Sequence, residues 1–155
     1  MKKVGTYTAR GQVPGSNTGS GDPVRLFLFD GKFTSGYVVT EFKIWSSAYD
    51  SDANADGIGK LSKSASGNTT AATFMNAADD DEIAWATTEG ASVSGNDAAF
   101  NDSIIDPDNL IVEDLYIYTR NSASKPMNYL ITMDKYDIPA WKGALSLAKD
   151  KAQGE

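Results

Sequence analysis

The residue types that carry most protein chemistry are missing here in an informative way. The 155-residue chain contains no histidine and no cysteine. Disulfides, thiol nucleophiles, Cys/His zinc sites and Ser-His pairs are therefore excluded. What remains is carboxylate, lysine, tyrosine or serine chemistry, or the binding of a hard cation by oxygen ligands.

The sharpest motif of that kind is Asp50-Ser51-Asp52-Ala53-Asn54-Ala55-Asp56-Gly57. Asp52, Asn54 and Asp56 are spaced like the first ligands of a calcium loop, in which alternate oxygens curl around the ion and a glycine permits the turn. The twelfth position should then be a bidentate Glu and is Lys63, and the apolar eighth position is Gly59. The plainer reading is a polar turn, for which Asp, Asn and Gly are standard residues. Calcium is thus the one cofactor the sequence entertains, with Asp52, Asn54 and Asp56 as its ligands.

Asp79-Asp80-Asp81-Glu82 places four carboxylates in a row, as solvated loops commonly do. Sequence neighbours do not by themselves converge across a cleft as a glycosidase pair must. Asp106-Pro107-Asp108-Asn109 reads as the stiffened entry to a strand. Trp45, Trp85 and Trp141, with seven Tyr and six Phe, offer a sugar-stacking platform or, more simply, core and interface. The Gly-rich stretch around Pro14-Gly15-Ser16 lacks the Lys and following helix of a phosphate loop and is a linker. Taken together these features predict no enzyme.

The elements that must hold these residues are strands. Short runs rich in Val, Ile, Leu, Phe and Tyr alternate with Gly-, Ser-, Asn- and Asp-rich segments. Strands are expected over 4–13, 24–30, 36–46, 57–63, 82–87, 110–119 and 127–136. Residues 24–30 read as buried on both faces, ended by an Asp30-Gly31 reversal. Along 36–46 the core face is expected to carry Val38, Thr40, Phe42 and Ile44. Residues 110–119 and 127–136 read as a hairpin in the middle of the sheet, with Met127, Tyr129, Ile131 and Met133 sharing a face. Long loops are expected at 47–56, 64–81 and 88–108, lengths that suit contacts with partners.

Asp137 fits an N-cap and Pro139 a first helical turn, so Trp141 to Ala152 is expected to be helical. Trp141, Leu145 and Ala148 then form a stripe that needs a partner surface. The expected fold is mainly β: an antiparallel β-sandwich or jelly-roll-like barrel with long loops and a short C-terminal helix. Residues 1–155 read as one β-rich domain, with 137–155 as its terminal helix and tail. A βαβ arrangement fails because no helical pattern separates the strands.

A formal net charge of −7 argues against general binding to nucleic acid or an anionic membrane surface. No apolar run approaches the roughly 20 residues of a membrane-spanning helix. Met1-Lys2-Lys3 is not followed by a signal-peptide core, which fits a protein made and used without Sec export.

Several segments resemble a group of small, mostly uncharacterised proteins from marine bacteriophage genomes. They are Gly5-Thr6-Tyr7-Thr8-Ala9-Arg10-Gly11, the run from Leu26 to Glu41, Ile105 through Tyr116, Asn128-Tyr129-Leu130-Ile131, and Trp141-Lys142-Gly143-Ala144-Leu145. The resemblance covers both ends of the chain and little of 46–104. It implies a virion structural protein, capsid or capsid-associated, assembled in the host cytoplasm through contacts with copies of itself and other virion proteins. The alternative is a carbohydrate- or calcium-binding β-sandwich module.

Overall fold

The computed structural model describes residues 1–15, 23–47, 56–89, 100–121, 124–139 and, near the C-terminus, 141, 142, 144, 145 and 148. The described strands are β1 (Lys2–Val13), β2 (Val24–Leu26), β3 (Ser35–Ser46), β4 (Gly57–Ser62), β5 (Glu82–Glu89), β6 (Phe100–Ile105), β7 (Leu115–Asn121) and β8 (Met127–Asp137). A single turn of 3₁₀ helix, Ala71–Thr73, precedes β5. The molecule is mainly β, in two antiparallel sheets ordered β1-β8-β3 and β2-β7-β4-β5-β6.

The two sheets share one hydrophobic core. Phe42 and Ile44 of β3 meet Leu61 of β4, Ala84 and Ala86 of β5, Leu115 and Ile117 of β7, and the inner face of β8. β3 lies against β5 and β6, whereas β1 approaches β7. The smaller sheet therefore has its β3 side over the β6 end of the larger one and its β1 side over the β7–β2 end. Met127, Tyr129, Ile131 and Met133 alternate inward along β8, as their spacing predicts.

Several expectations are corrected. The segments 110–119 and 127–136 do not pair with each other. β7 bonds to β2 and β4, and β8 bonds to β1 and β3, so the turn between them carries the chain from one sheet to the other. Each is central, but in its own sheet. The first of them also begins only at Leu115; Ile111 instead forms an isolated bridge with Tyr37 of β3.

Residues 24–30 are not a strand buried on both faces. β2 stops at Leu26, Leu28 is buried, and Phe27 and Phe29 are exposed. The core face of β3 changes at Thr40, where the register slips: Val39 faces Met133 and Glu41 faces Thr132. A one-residue bulge inverts the alternation beyond it. Tyr37 and Val39 point inward before the bulge, and Phe42 and Ile44 after it, while Thr40 is exposed. The segment 88–108 contains β6, whose described side chains from Asn101 to Ile104 are exposed.

The Asp30-Gly31 reversal is present. Gly31 has φ +79°, and Asp30 accepts hydrogen bonds from the Lys32 amide (2.7 Å) and the Thr34 hydroxyl (2.6 Å). Burial pushes the Asp30 carboxyl up, but the Thr34 and Lys32 donors outweigh it and hold the group well below the usual carboxylate range.

Candidate functional site

On the outer face of the five-stranded sheet, Lys60 of β4 stands opposite Trp85 of β5 and Tyr118 of β7. The register of β4 on β5 slips between Leu61 and Ser62, so Glu82 faces Ser62 and falls on the same side as Lys60. The side chains of Lys60 and Glu82 are both fully buried, with Nζ 3.2 Å from Glu82 Oε2. The Lys60 ammonium also donates to the carbonyls of Asn68 (2.6 Å) and Phe74 (2.7 Å). Glu82 Oε1 accepts from the Asn76 amide and from Trp85 Nε1, each at 2.9 Å.

All three ammonium protons and both carboxylate oxygens thus have partners. The rings of Phe74 and Tyr118 flank the cation at 4.6 and 5.2 Å. Tyr118 donates to the Ser64 carbonyl and accepts from the Gly67 amide, both at 2.8 Å. Burial pushes the Tyr118 phenol up, and the Gly67 amide offsets part of that. A side chain at Gly67 would begin 2.8 Å from the Tyr118 ring, so only glycine lets the backbone approach. The network pins residues 64–81 over the sheet, and zero exposure puts its charges out of a substrate's reach.

A second network sits at the β2 end. Asp114 Oδ2 accepts from Arg25 Nε at 2.8 Å, and Oδ1 accepts from the amides of Leu28 (2.8 Å) and Phe29 (3.1 Å). Burial alone would raise the Asp114 carboxyl, but the Arg25 guanidinium and the two amides hold it below its ordinary value. Arg25 in turn lies 4.6 Å from the Phe27 ring, which is 78% exposed.

The sequence-derived candidates are dispersed. Asp52 and Asn54 lie outside the described residues. Asp56 is exposed, and its backbone carbonyl accepts from Asn121 Nδ2 at 2.7 Å. Among the described residues no three acids gather as a metal site. Of the acidic run, Glu82 is buried in the ion pair; Asp79, Asp80 and Asp81 belong to the turn before β5. Trp45 and Trp85 project from the outer faces of different sheets, which separates them as a stacking platform.

The described residues near the C-terminus, Trp141, Lys142, Ala144, Leu145 and Ala148, have helical backbone. Trp141 is 69% and Leu145 62% exposed, and Ala148 is exposed. Among the described residues no helix is long and apolar enough to cross a membrane.

Sheet edges are the remaining surface with chemical consequence, because an edge strand presents unpaired N–H and C=O groups. β2 offers only three residues, and β3 is partly covered by its bridge to Ile111. Among the described strands, the twelve-residue β1 pairs only with β8 and β6 pairs only with β5. Nothing in the alternation of the sequence marks these two strands as edges.

Compared with protein-family models and with curated proteins, the sequence matches none.

Proposed function

We propose that this chain is a structural subunit of a bacteriophage particle, capsid or capsid-associated, acting through contacts with copies of itself and with other virion proteins. The observation that carries the reading is where large apolar side chains meet solvent. Phe27 beyond β2, Ile104 on β6, and Trp141 with Leu145 near the C-terminus lie in separate parts of the fold, beside two sheet edges with no described partner. Covering such residues removes apolar area from water, so association at several surfaces is favourable. In this reading the two sheets form an antiparallel β-sandwich or a jelly-roll-like barrel. Residues 137–155 form a terminal helix whose Trp141, Leu145 and Ala148 stripe rests on a neighbouring subunit. The particle assembles in the host cytoplasm, and the resemblance of both chain ends to marine bacteriophage proteins supports that setting.

Sedimentation velocity and negative-stain microscopy of the purified protein test the proposal. Concentration-dependent oligomers, with rings or shells on the grid, are expected. A monomer throughout the accessible concentration range would overturn it.

A further inference from the structure

The two longer edges without a described partner, β1 and β6, carry opposite charge. β1 contains Lys2, Lys3 and Arg10 and no acid. β6 and the turn after it contain Asp102, Asp106 and Asp108 and no base. This is notable in a chain of net charge −7, where a cationic strand is against the average. Lys3 is already matched by Asp134 of β8 at 2.9 Å, whereas Arg10 is exposed farther along the strand, three residues before its end.

The edges also point in opposite directions. β1 closes the three-stranded sheet on the flank where that sheet approaches β7, and β6 closes the five-stranded sheet on the flank covered by β3. A surface on one flank that complements a surface on the other makes a head-to-tail contact, which repeats into a ring or a filament.

Backbone and charge agree on the partner. Lysines and a bulge between Lys3 and Gly5 guard only the start of β1. From Thr6 to Val13 the strand has no proline and one charge, so its outer N–H and C=O groups can accept another strand. Pairing β1 with β1 of a second copy would bring two sets of cations together, and pairing β6 with β6 two sets of acids. Like charges opposite each other in a ladder are destabilising, and unlike charges are not. Exposed Val4 and Tyr7 on β1 and Ile104 on β6 add apolar area to the same edges.

We infer that β1 of one copy pairs with β6 of the next, joining the three-stranded sheet of one subunit to the five-stranded sheet of its neighbour. This rests on the reading of the chain as a self-assembling structural subunit and names the contact through which it assembles.

A charge-swap mixing experiment tests it. Arg10→Glu and Asp102→Lys alter exposed side chains, so circular dichroism and melting should stay as in the wild type. Each variant alone places like charges at every junction and should weaken self-association by about tenfold or more in sedimentation velocity at low salt. An equimolar mixture of the two should regain wild-type oligomers, because alternating copies restore an unlike pair at each junction. Single variants that assemble normally would overturn the contact, as would weakened variants that the mixture fails to rescue. In both cases persisting wild-type oligomers leave the assembly reading standing. A wild-type protein that is itself monomeric overturns that reading and this contact with it.

Discussion

Lys60 shows how much a single residue depends on what covers it. Within Gly57-Ile58-Gly59-Lys60-Leu61-Ser62 it occupies the face opposite Leu61, the side a strand ordinarily gives to solvent. Residues 64–81 fold over that side, and Glu82, Phe74 and Tyr118 supply the partners that make burial tolerable. Removing one member of a buried pair leaves the other charge without compensation, at a cost of about 3–5 kcal/mol. Lys60→Met should therefore destabilise the protein by that order in urea denaturation. Lys60→Met combined with Glu82→Leu should cost less than the single change. A double variant worse than the single one would mean that the pair adds net stability beyond its own desolvation.

Asp114 makes the corresponding pH prediction. Its folded pKa lies below the unfolded value of about 3.9, so its contribution is fully present above that value and disappears as pH falls through the folded pKa. Stability measured at pH 6, 4 and 3 should drop more steeply for the wild type than for Asp114→Asn. Parallel profiles would remove Asp114 from the acid response.

At the scale of elements, parity and partner choice decide the architecture. Thr40 sits in the bulge of β3, with Val39 and Glu41 already facing consecutive residues of β8. Deleting Thr40 closes the ladder into regular pairing and keeps Val39, Phe42 and Ile44 inward, so the variant should fold. Deleting Lys43 instead breaks the alternation of Phe42 and Ile44, both fully buried, and should abolish cooperative unfolding. Equal melting curves for the two deletions would refute this account of the bulge.

Leu115 of β7 and Ile131 of β8 are each fully buried in the shared core. Either change to Ala should cost about 2–5 kcal/mol by chemical denaturation. A loss under about 1 kcal/mol at both positions would mean that the core readily collapses around them. The sequence makes both strands legible through their alternation, and the stretch 120–125 between them legible as a reversal. It does not say that the reversal changes sheets, because backbone hydrogen bonding of β7 with β4 or with β8 looks the same along the chain. β6 escapes notice for a different reason: an exposed strand needs no apolar alternation, and Phe100-Asn101-Asp102-Ser103 has little.

For the molecule as a whole, the question is which surfaces serve its own stability and which serve neighbours. The C-terminal residues give a direct handle, because Trp141 and Leu145 are largely exposed and lie outside the shared core. Truncation after Pro139 should leave the melting temperature of the two-sheet body nearly unchanged and reduce the size of its oligomers. Loss of the folded state would instead place those residues in the subunit's own core. Ile138 stays in the truncated chain; it is buried and its amide donates to the Thr34 carbonyl at 2.9 Å, so β8 remains anchored.

The sequence by itself determined the mainly β class, the inward face of β8, the reversal at Asp30-Gly31, and the absence of histidine and cysteine chemistry. These are local properties, fixed by side-chain period, turn-forming residues and composition. The tertiary structure alone decided the distribution of strands between two sheets, the inversions at the bulges, and the burial of Lys60 with Glu82. It also decided that a cationic and an acidic strand end up on opposite flanks. Each of these depends on pairing between residues far apart in the chain. The free energy of such pairing comes from contacts with partners that no local pattern identifies.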